Sequence, residues 1–497
     1  MNGQIILFII AAYFGLLLLI AWLTGNKDSN NDAFFLGNRK SPWYIVAIGM
    51  IGTSLSGVTF VSVPGLVRQI DMTYMQMVFG FFVGYIIIAR ILLPLYYKLK
   101  LTSIYTYLDE RIGRNSYKTG ASFFLLSKIV GAAARLYLVV LILQKYVFEQ
   151  WGIPFVVTAI LSILLVWLYT FRSGIKTIIW TDTFQAICLV GMLVLIIWQI
   201  KNRMGLDTSG IVQTITESRH FRIFEFKDWS STQHFVKQFF SGIFVTIVMT
   251  GLDQDMMQKN LSCKNLKDAQ KNMYSYGFAF TPINFLFLCL GILLITAASQ
   301  WQIELPVSGD DILPMFCTSG LLGDSIIIFF TIGIIAAAFS SADSALTALT
   351  TSFCIDILGI ERKEATEAKR IRMKVHLLIS LLFVFIILAF KAVNNRSVID
   401  AIYMIASYTY GPLLGLFAFG LFTKQKPVDH FVPYICIASP LICFTIDYFA
   451  KQLTDYRFGY ELLMLNGALT FIGLWCISRT FVNKIPNKIN RYGNKKS

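Results

Sequence analysis

Three serines and an aspartate stand in one of the oiliest parts of the chain. The string "AAAFSSADS" runs from Ala336 to Ser344, between "IIIFFTIGII" and "ALTTSFCIDIL". On a helix, Ala337, Ser340, Ser341 and Ser344 fall on one face, with Asp343 one turn from Ser340. Hydroxyl and carbonyl oxygens are hard ligands suited to a small hard cation such as sodium. The same spacing also serves a seam of small residues that lets another helix come close, with serines bonded back to the preceding turn. A second acidic position favours the cation. Asp182 and Gln185, in "GIKTIIWTDTFQA", sit about a turn inside another apolar stretch, beside Thr181 and Thr183. A carboxylate in hydrocarbon needs a partner, so two such acids beside hydroxyls read as a shared cation or proton site.

Two further stretches are broken where a membrane helix would be continuous. "IVAIGMIGTSLSGVTFVSVPGLVRQ" carries Gly49, Gly52, Gly57, Pro64 and Gly65 among Thr53, Ser54, Ser56 and Thr59. An interrupted helix offers backbone carbonyls to an ion and hydroxyls to a solute. Its counterpart five spans later, "FFSGIFVTIVMTGLDQDMMQKNL", contains Gly242, Gly251, Asp253 and Gln254. Breaks at corresponding positions of two halves point to a transporter built from inverted repeats. Arg135, in "GAAARLYLVV", is a cation inside an apolar run. It reads either as the partner of a solute carboxylate or as a structural partner of Asp182 or Asp253. Lys128 lies seven residues earlier on the same face, which fits a water-lined path. Arg68 and Arg90 are expected to snorkel to the surfaces.

The elements that must hold these residues are membrane helices. The chain is 56% hydrophobic and 14% charged, where a soluble domain has roughly a quarter of its residues charged. Thirteen apolar stretches approach the roughly 20 residues a span needs. They divide into an extra N-terminal helix at 4–23, two five-helix halves at 43–200 and 236–423, two C-terminal helices within 430–478, and a basic tail at 479–497. The first run lacks a basic flank and a cleavage site, so it is expected to be a retained helix. Most of the 43 Lys and Arg fall on one side if the N-terminus is outside, and the expected topology is N-out and C-in in an inner or plasma membrane. The net charge of +15 then reflects topology and contact with anionic lipid; no segment suggests nucleic-acid binding. Eight cysteines and four histidines show neither a disulfide framework nor metal-ligand spacing. With no phosphate loop or nucleophile constellation, an enzyme or ATP-driven pump is unsupported, and no obligate protein partner is evident.

These strings, taken together, resemble the sodium:solute symporter family. The likeness rests on "FFLGNRK" at 34–40, "LTSIYTYLDERIG" at 101–113, "TDTFQ" at 181–185, "GLDQDMMQKNLSCKNLKDA" at 251–269, "AAAFSSADS" at 336–344 and "GPLLGLFAFGLFTK" at 411–424. It implies an all-α membrane protein with the leucine-transporter-type five-plus-five inverted repeat, one helix before it and two after. The resemblance also implies a main sodium site made by Gly52, Leu55, Ala337, Ser340 and Ser341. Some relatives bind a second sodium, which here implicates Asp182, Ser340, Asp343 and Ser344, with a proton as the alternative because Asp343 replaces a hydroxyl. For the solute it points to Ser54, Ser56 and Thr59 at the break, Tyr74 on the next helix, and Asp253 and Gln254 at the second break.

"TSLSGVTFVSVPG" looks most like the sialic-acid and monocarboxylate branches, so the expected cargo is a small organic anion; a sugar or amino acid is the alternative. The expected mechanism is sodium-coupled alternating access. Each sodium moving inward gains about 2.3 kcal/mol per 100 mV. A membrane sensor using the same fold is the other reading, although only about 18 residues follow the last span.

Overall fold

The structure, a computed structural model, describes residues 3–25, 31–171, 174–393, 398–454, 456 and 458–482. Most of the expected basic tail, from 483 onward, lies outside the described residues. Among them every regular element is helical, as a bilayer requires of a chain whose backbone groups must be satisfied internally.

The chain begins with α1 (Gly3–Thr24), followed by a bent pair, α2 (Trp43–Ser54) and α3 (Gly57–Ile70). Next come α4 (Tyr74–Lys98), α5 (Arg114–Leu143), α6 (Phe155–Thr170) and α7 (Ile175–Met204). A second bent pair is α8 (Phe235–Gly251) and α9 (Gln254–Leu261). The remaining long helices are α10 (Leu266–Gln300), α11 (Asp324–Ile357), α12 (Ala365–Val393), α13 (Val398–Phe422), α14 (Val432–Thr454) and α15 (Leu462–Val482), with shorter helices in the connections. Among the described residues, seven helices are long and apolar enough to cross a membrane, and nine if each bent pair is one span.

The expected breaks are real bends. The two halves of the first pair meet at 57° and those of the second at 64°. At the first, Leu55 leaves the helical region (φ −78°, ψ 66°) and Ser56 is extended, its hydroxyl accepting the Thr59 N–H at the start of α3. Small residues at the end of α2 let α7 lie against it. A methyl group on Gly52 would stand 2.7 Å from the Asp182 carbonyl oxygen and 3.0 Å from Ala186 Cβ. Gly80 of α4 and Gly242 of α8 make a similar approach, each too close to the other helix's backbone for a side chain.

Helix α11 is the axis of the core: every residue from Gly333 to Ser352 is buried, and it packs against α2, α5 and α7. By contrast, α14 buries only four residues, Val432, Cys436, Ser439 and Cys443, leaving a largely apolar exterior suited to lipid. Two poles close the bundle. At one, the Ser41 N–H bonds the Ser262 carbonyl at 3.1 Å, Arg39 reaches the Leu101 carbonyl at 3.0 Å, and Tyr97 Oη donates to the Asn260 carbonyl at 2.9 Å. At the other, Arg222 and His220 hold Asp71, each at 2.9 Å, and Gln76 donates to the Gln233 carbonyl at 2.9 Å.

Candidate ion and solute site

The serines of α11 meet the broken end of α2. The Ser341 hydroxyl lies 3.3 Å from the Thr53 carbonyl and 3.2 Å from the Ala337 carbonyl, so it bridges the two helices. The Ser340 hydroxyl donates to Asp182 Oδ1 at 2.6 Å. Both serines, with Gly52, Leu55 and Ala337, are buried. The structure thus gathers the five residues expected at the main ion site around one helix break. Their donors are hydroxyl and carbonyl oxygens, the chemistry a dehydrated sodium requires.

Asp182 is wholly buried and heavily partnered. Its Oδ2 accepts from Thr53 Oγ1 at 3.0 Å and Ser344 Oγ at 3.2 Å, and lies 2.6 Å from the Lys259 ammonium, which also bonds the Thr53 hydroxyl. Asp343 stands apart from this cluster. Tyr169 donates to its Oδ2 at 2.9 Å, while its Oδ1 is buried with no hydrogen-bond partner among the described residues. Of the residues expected at a second sodium or proton site, Asp182, Ser340 and Ser344 are hydrogen-bonded together, while the Asp343 carboxylate bonds Tyr169. A lysine of the chain sits on Asp182, and a tyrosine holds Asp343.

Beside the break opens a polar cavity. Ser54, Ser56, Thr59, Tyr74, Arg135 and Asp253, all expected solute contacts, line it, and so do Thr53 and Ser341 from the ion cluster. The ion cluster and the cavity thus share a wall. Gln254 does not line the cavity. Its amide accepts from the Ile104 N–H at 3.0 Å and donates to the Thr102 carbonyl at 2.9 Å. Placed one residue past the bend, it ties α9 to the segment between α4 and α5, which makes it a positioning residue.

Charges in the cavity are unevenly matched. Lys128 is held between Asp253, at 3.1 Å, and Asp255, at 2.8 Å. Tyr410 Oη donates to Asp253 at 2.7 Å, and Asp255 Oδ1 has no hydrogen-bond partner among the described residues. Arg135 makes no ion pair among the described residues. Its two expected structural partners are taken, Asp253 by Lys128 and Asp182 by Lys259. Arg68 and Arg90 are exposed, as snorkelling side chains are.

Lys259, Asp255, Tyr169 and Tyr410 were not singled out from the sequence, and Thr53 was noted only as one of the hydroxyls at the first break. The signal for Lys259 lay in Asp182 itself, because a buried carboxylate demands a counter-charge. The lysine lies six residues past Asp253, where a span seemed to be ending.

A helix interrupted beside an oxygen-lined ion cluster, facing a second interrupted helix across a polar cavity, defines a secondary transporter of the ion-coupled kind. The chain belongs to the sodium:solute symporter family, whose model matches residues 34–427. It is therefore a multi-pass, sodium-coupled solute carrier and not an enzyme. It is 27% identical over 435 residues to the sodium/sialic acid symporter SiaT of Proteus mirabilis, covering 84% of each chain. To the sodium-dependent multivitamin transporter of Oryctolagus cuniculus it is 26% identical over 78% of this chain and 61% of that one. Its fold is similar to that of a sodium-coupled sialic acid symporter solved in a substrate-bound outward-open state. There the TM-score is 0.83 at 23% identity, covering 96% of this chain and 98% of the other. A nucleobase-cation-symport-1 family transporter superposes with a TM-score of 0.57 at 12% identity, over 93% and 97% of the chains. The fold is the leucine-transporter type.

Proposed function

We propose that this protein imports a small organic carboxylate, of the sialic acid or monocarboxylate kind, together with sodium. The observation that carries the reading is Arg135. It lines the cavity without a carboxylate partner among the described residues, while the neighbouring lysine is neutralised by two aspartates. A guanidinium there offers a two-pronged contact to a carboxylate, and Ser54, Ser56, Thr59 and Tyr74 supply hydroxyls for the rest of the solute. The names of the relatives, sialic acid and multivitamin carriers, agree with this choice.

Sodium binds between Gly52, Leu55, Ala337, Ser340 and Ser341. It draws the broken end of α2 onto α11 and orders residues 54–57, which present the solute hydroxyls. Solute then bridges Arg135 to that ordered break. The core rocks against its flanking helices to expose the cavity on the other side. The two five-helix halves, 43–200 and 236–423, act as the inverted repeats, each opening with a bent helix. We place the protein in a cell membrane with the N-terminus outside. The pole holding Arg39, Tyr97 and Ser262 then faces the cytoplasm, where basic residues concentrate. Lipid covers the rest, and no obligate protein partner is required.

Uptake into proteoliposomes tests the reading, with labelled sialate, short monocarboxylates, a sugar and an amino acid as probes. Accumulation of a carboxylate should require an inward sodium gradient. Ser340→Ala removes one ion-binding hydroxyl, worth about 1.5–3 kcal/mol for a bond to a charge, so half-saturating sodium should rise roughly 10- to 100-fold. Accumulation that ignores both sodium and Ser340 overturns the proposal.

A further inference from the structure

The acidic cluster beside the main ion site already contains a cation. Thr53, Ser340 and Ser344 direct their hydroxyls at the two oxygens of Asp182. A carboxylate ringed by hydroxyls is a set of hard oxygen donors that a sodium ion would fit. In this chain the position is filled from α9. The Lys259 ammonium lies 2.6 Å from Asp182 Oδ2 and also meets the Thr53 hydroxyl, with only 1% of its side chain exposed. Lys259 is anchored there by its own element, which begins at the second helix break, where Asp253 caps it by accepting the Asp255 N–H at 2.9 Å. The contact spans the core from α9 to α7 and α2. It is built by residues 77 and 206 positions apart in the chain.

We propose that Lys259 is a tethered cation that takes the place of a second sodium at Asp182, so that this chain couples transport to the single sodium held by Ser340 and Ser341. This rests on the sodium-symport reading above. Charge balance supports it. Among the described residues the buried charges nearest the ion cluster are Asp182, Asp343 and Lys259, while the buried Asp253 and Asp255 of the adjoining cavity are balanced there by Lys128 and Arg135. One sodium makes this group neutral. A second would leave a net positive charge in a site walled by the apolar core, which is costly. Geometry agrees, because an ammonium and a sodium cannot both contact Asp182 Oδ2 while Thr53 and Ser344 keep their bonds to it.

The test is direct counting of bound radioactive sodium on the purified full chain in detergent, with sodium as the only probe. The wild type should bind one sodium per chain and Ser341→Ala none at the same concentration. Lys259→Gln frees Asp182 and should bind two, and Lys259→Gln combined with Asp182→Asn should return to one. Two sodium ions on the wild type, with Lys259 in place, overturn the tether alone. A wild type that binds none overturns the sodium reading itself, and the tether with it. Should Lys259→Gln purify poorly, its melting temperature is the second readout. It should rise by several degrees more than that of the wild type when choline chloride is replaced by sodium chloride, because the ion then binds only the folded form. An equal rise in both proteins overturns the proposal.

Discussion

Arg135 is the residue on which solute chemistry turns. Cavity-facing and unmatched by any described acid, it should behave as a ligand-binding group. Arg135→Gln is therefore expected to raise KM for a carboxylate solute by roughly 10- to 100-fold, the effect of losing about 1.5–3 kcal/mol of charge-assisted bonding. Sodium binding and melting temperature should be unchanged. Arg135→Lys should fall between, since a point charge lacks the planar fork. A structural arginine would give the opposite pattern, a lowered melting temperature with KM preserved, and a thermal-shift assay beside the uptake curve separates the two. Much of this site was legible because oxygen-bearing side chains in a dry helix are anomalous: Ser340, Ser341 and Asp182 announce themselves against their apolar flanks. Lys259 did not, because a lysine near the end of an apolar run looks like an ordinary inner-surface charge. Only the 64° bend after Gly251 turns its side chain inward. Gln254 lies off the cavity lining for a related reason. One position after the break its amide is spent on the backbone at Thr102 and Ile104, and sequence cannot tell which side of a kink a residue faces.

At the scale of elements, close helix contacts separate site geometry from general packing. Gly52 sits where α2 crosses α7, and a methyl there meets backbone and Cβ atoms that cannot swing aside. Gly80 does the same where α4 crosses α8, away from the ion cluster. Overpacking of this kind costs about 1–3 kcal/mol. Both Gly52→Ala and Gly80→Ala should lower the melting temperature, yet only Gly52→Ala should weaken sodium binding, since it pushes the carbonyls of the break away from α11. Equal sodium affinities in the two variants would detach the break from the ion site. The helices themselves were read with their order intact, because long apolar runs leave little choice in a bilayer. Their ends were not. The run read as 274–298 belongs to a helix spanning Leu266–Gln300, whose first two turns, "LKDAQKNM", are polar. Those turns are helical because Asn265 caps the Asp268 N–H at 2.9 Å and Gln270 reaches the Ala89 carbonyl at 2.9 Å, contacts that hydropathy does not register.

For the whole molecule, the ion count decides what drives transport. If Lys259 is the resident partner of Asp182, one sodium crosses with each solute. With a solute carrying a single negative charge, the pair moves no net charge, and Lys259, Asp182 and Asp343 contribute equally to the loaded and empty carrier. An inside-negative potential of about 100 mV pulls the sodium inward with about 2.3 kcal/mol and opposes the anion by the same amount. Accumulation should then follow the sodium concentration ratio alone. In proteoliposomes loaded with potassium, valinomycin should leave the steady-state level of a monocarboxylate unchanged at a fixed sodium gradient. Transport with two sodium ions would carry one net charge, and the same potential would raise the accumulation ratio by roughly 50-fold, at a factor of ten per 1.4 kcal/mol. In Lys259→Gln the extra sodium should make transport electrogenic, so that valinomycin enhances uptake in the variant and not in the wild type. One substituted side chain would then change the response of the carrier to membrane voltage, because the lysine supplies the charge that a second ion would otherwise bring.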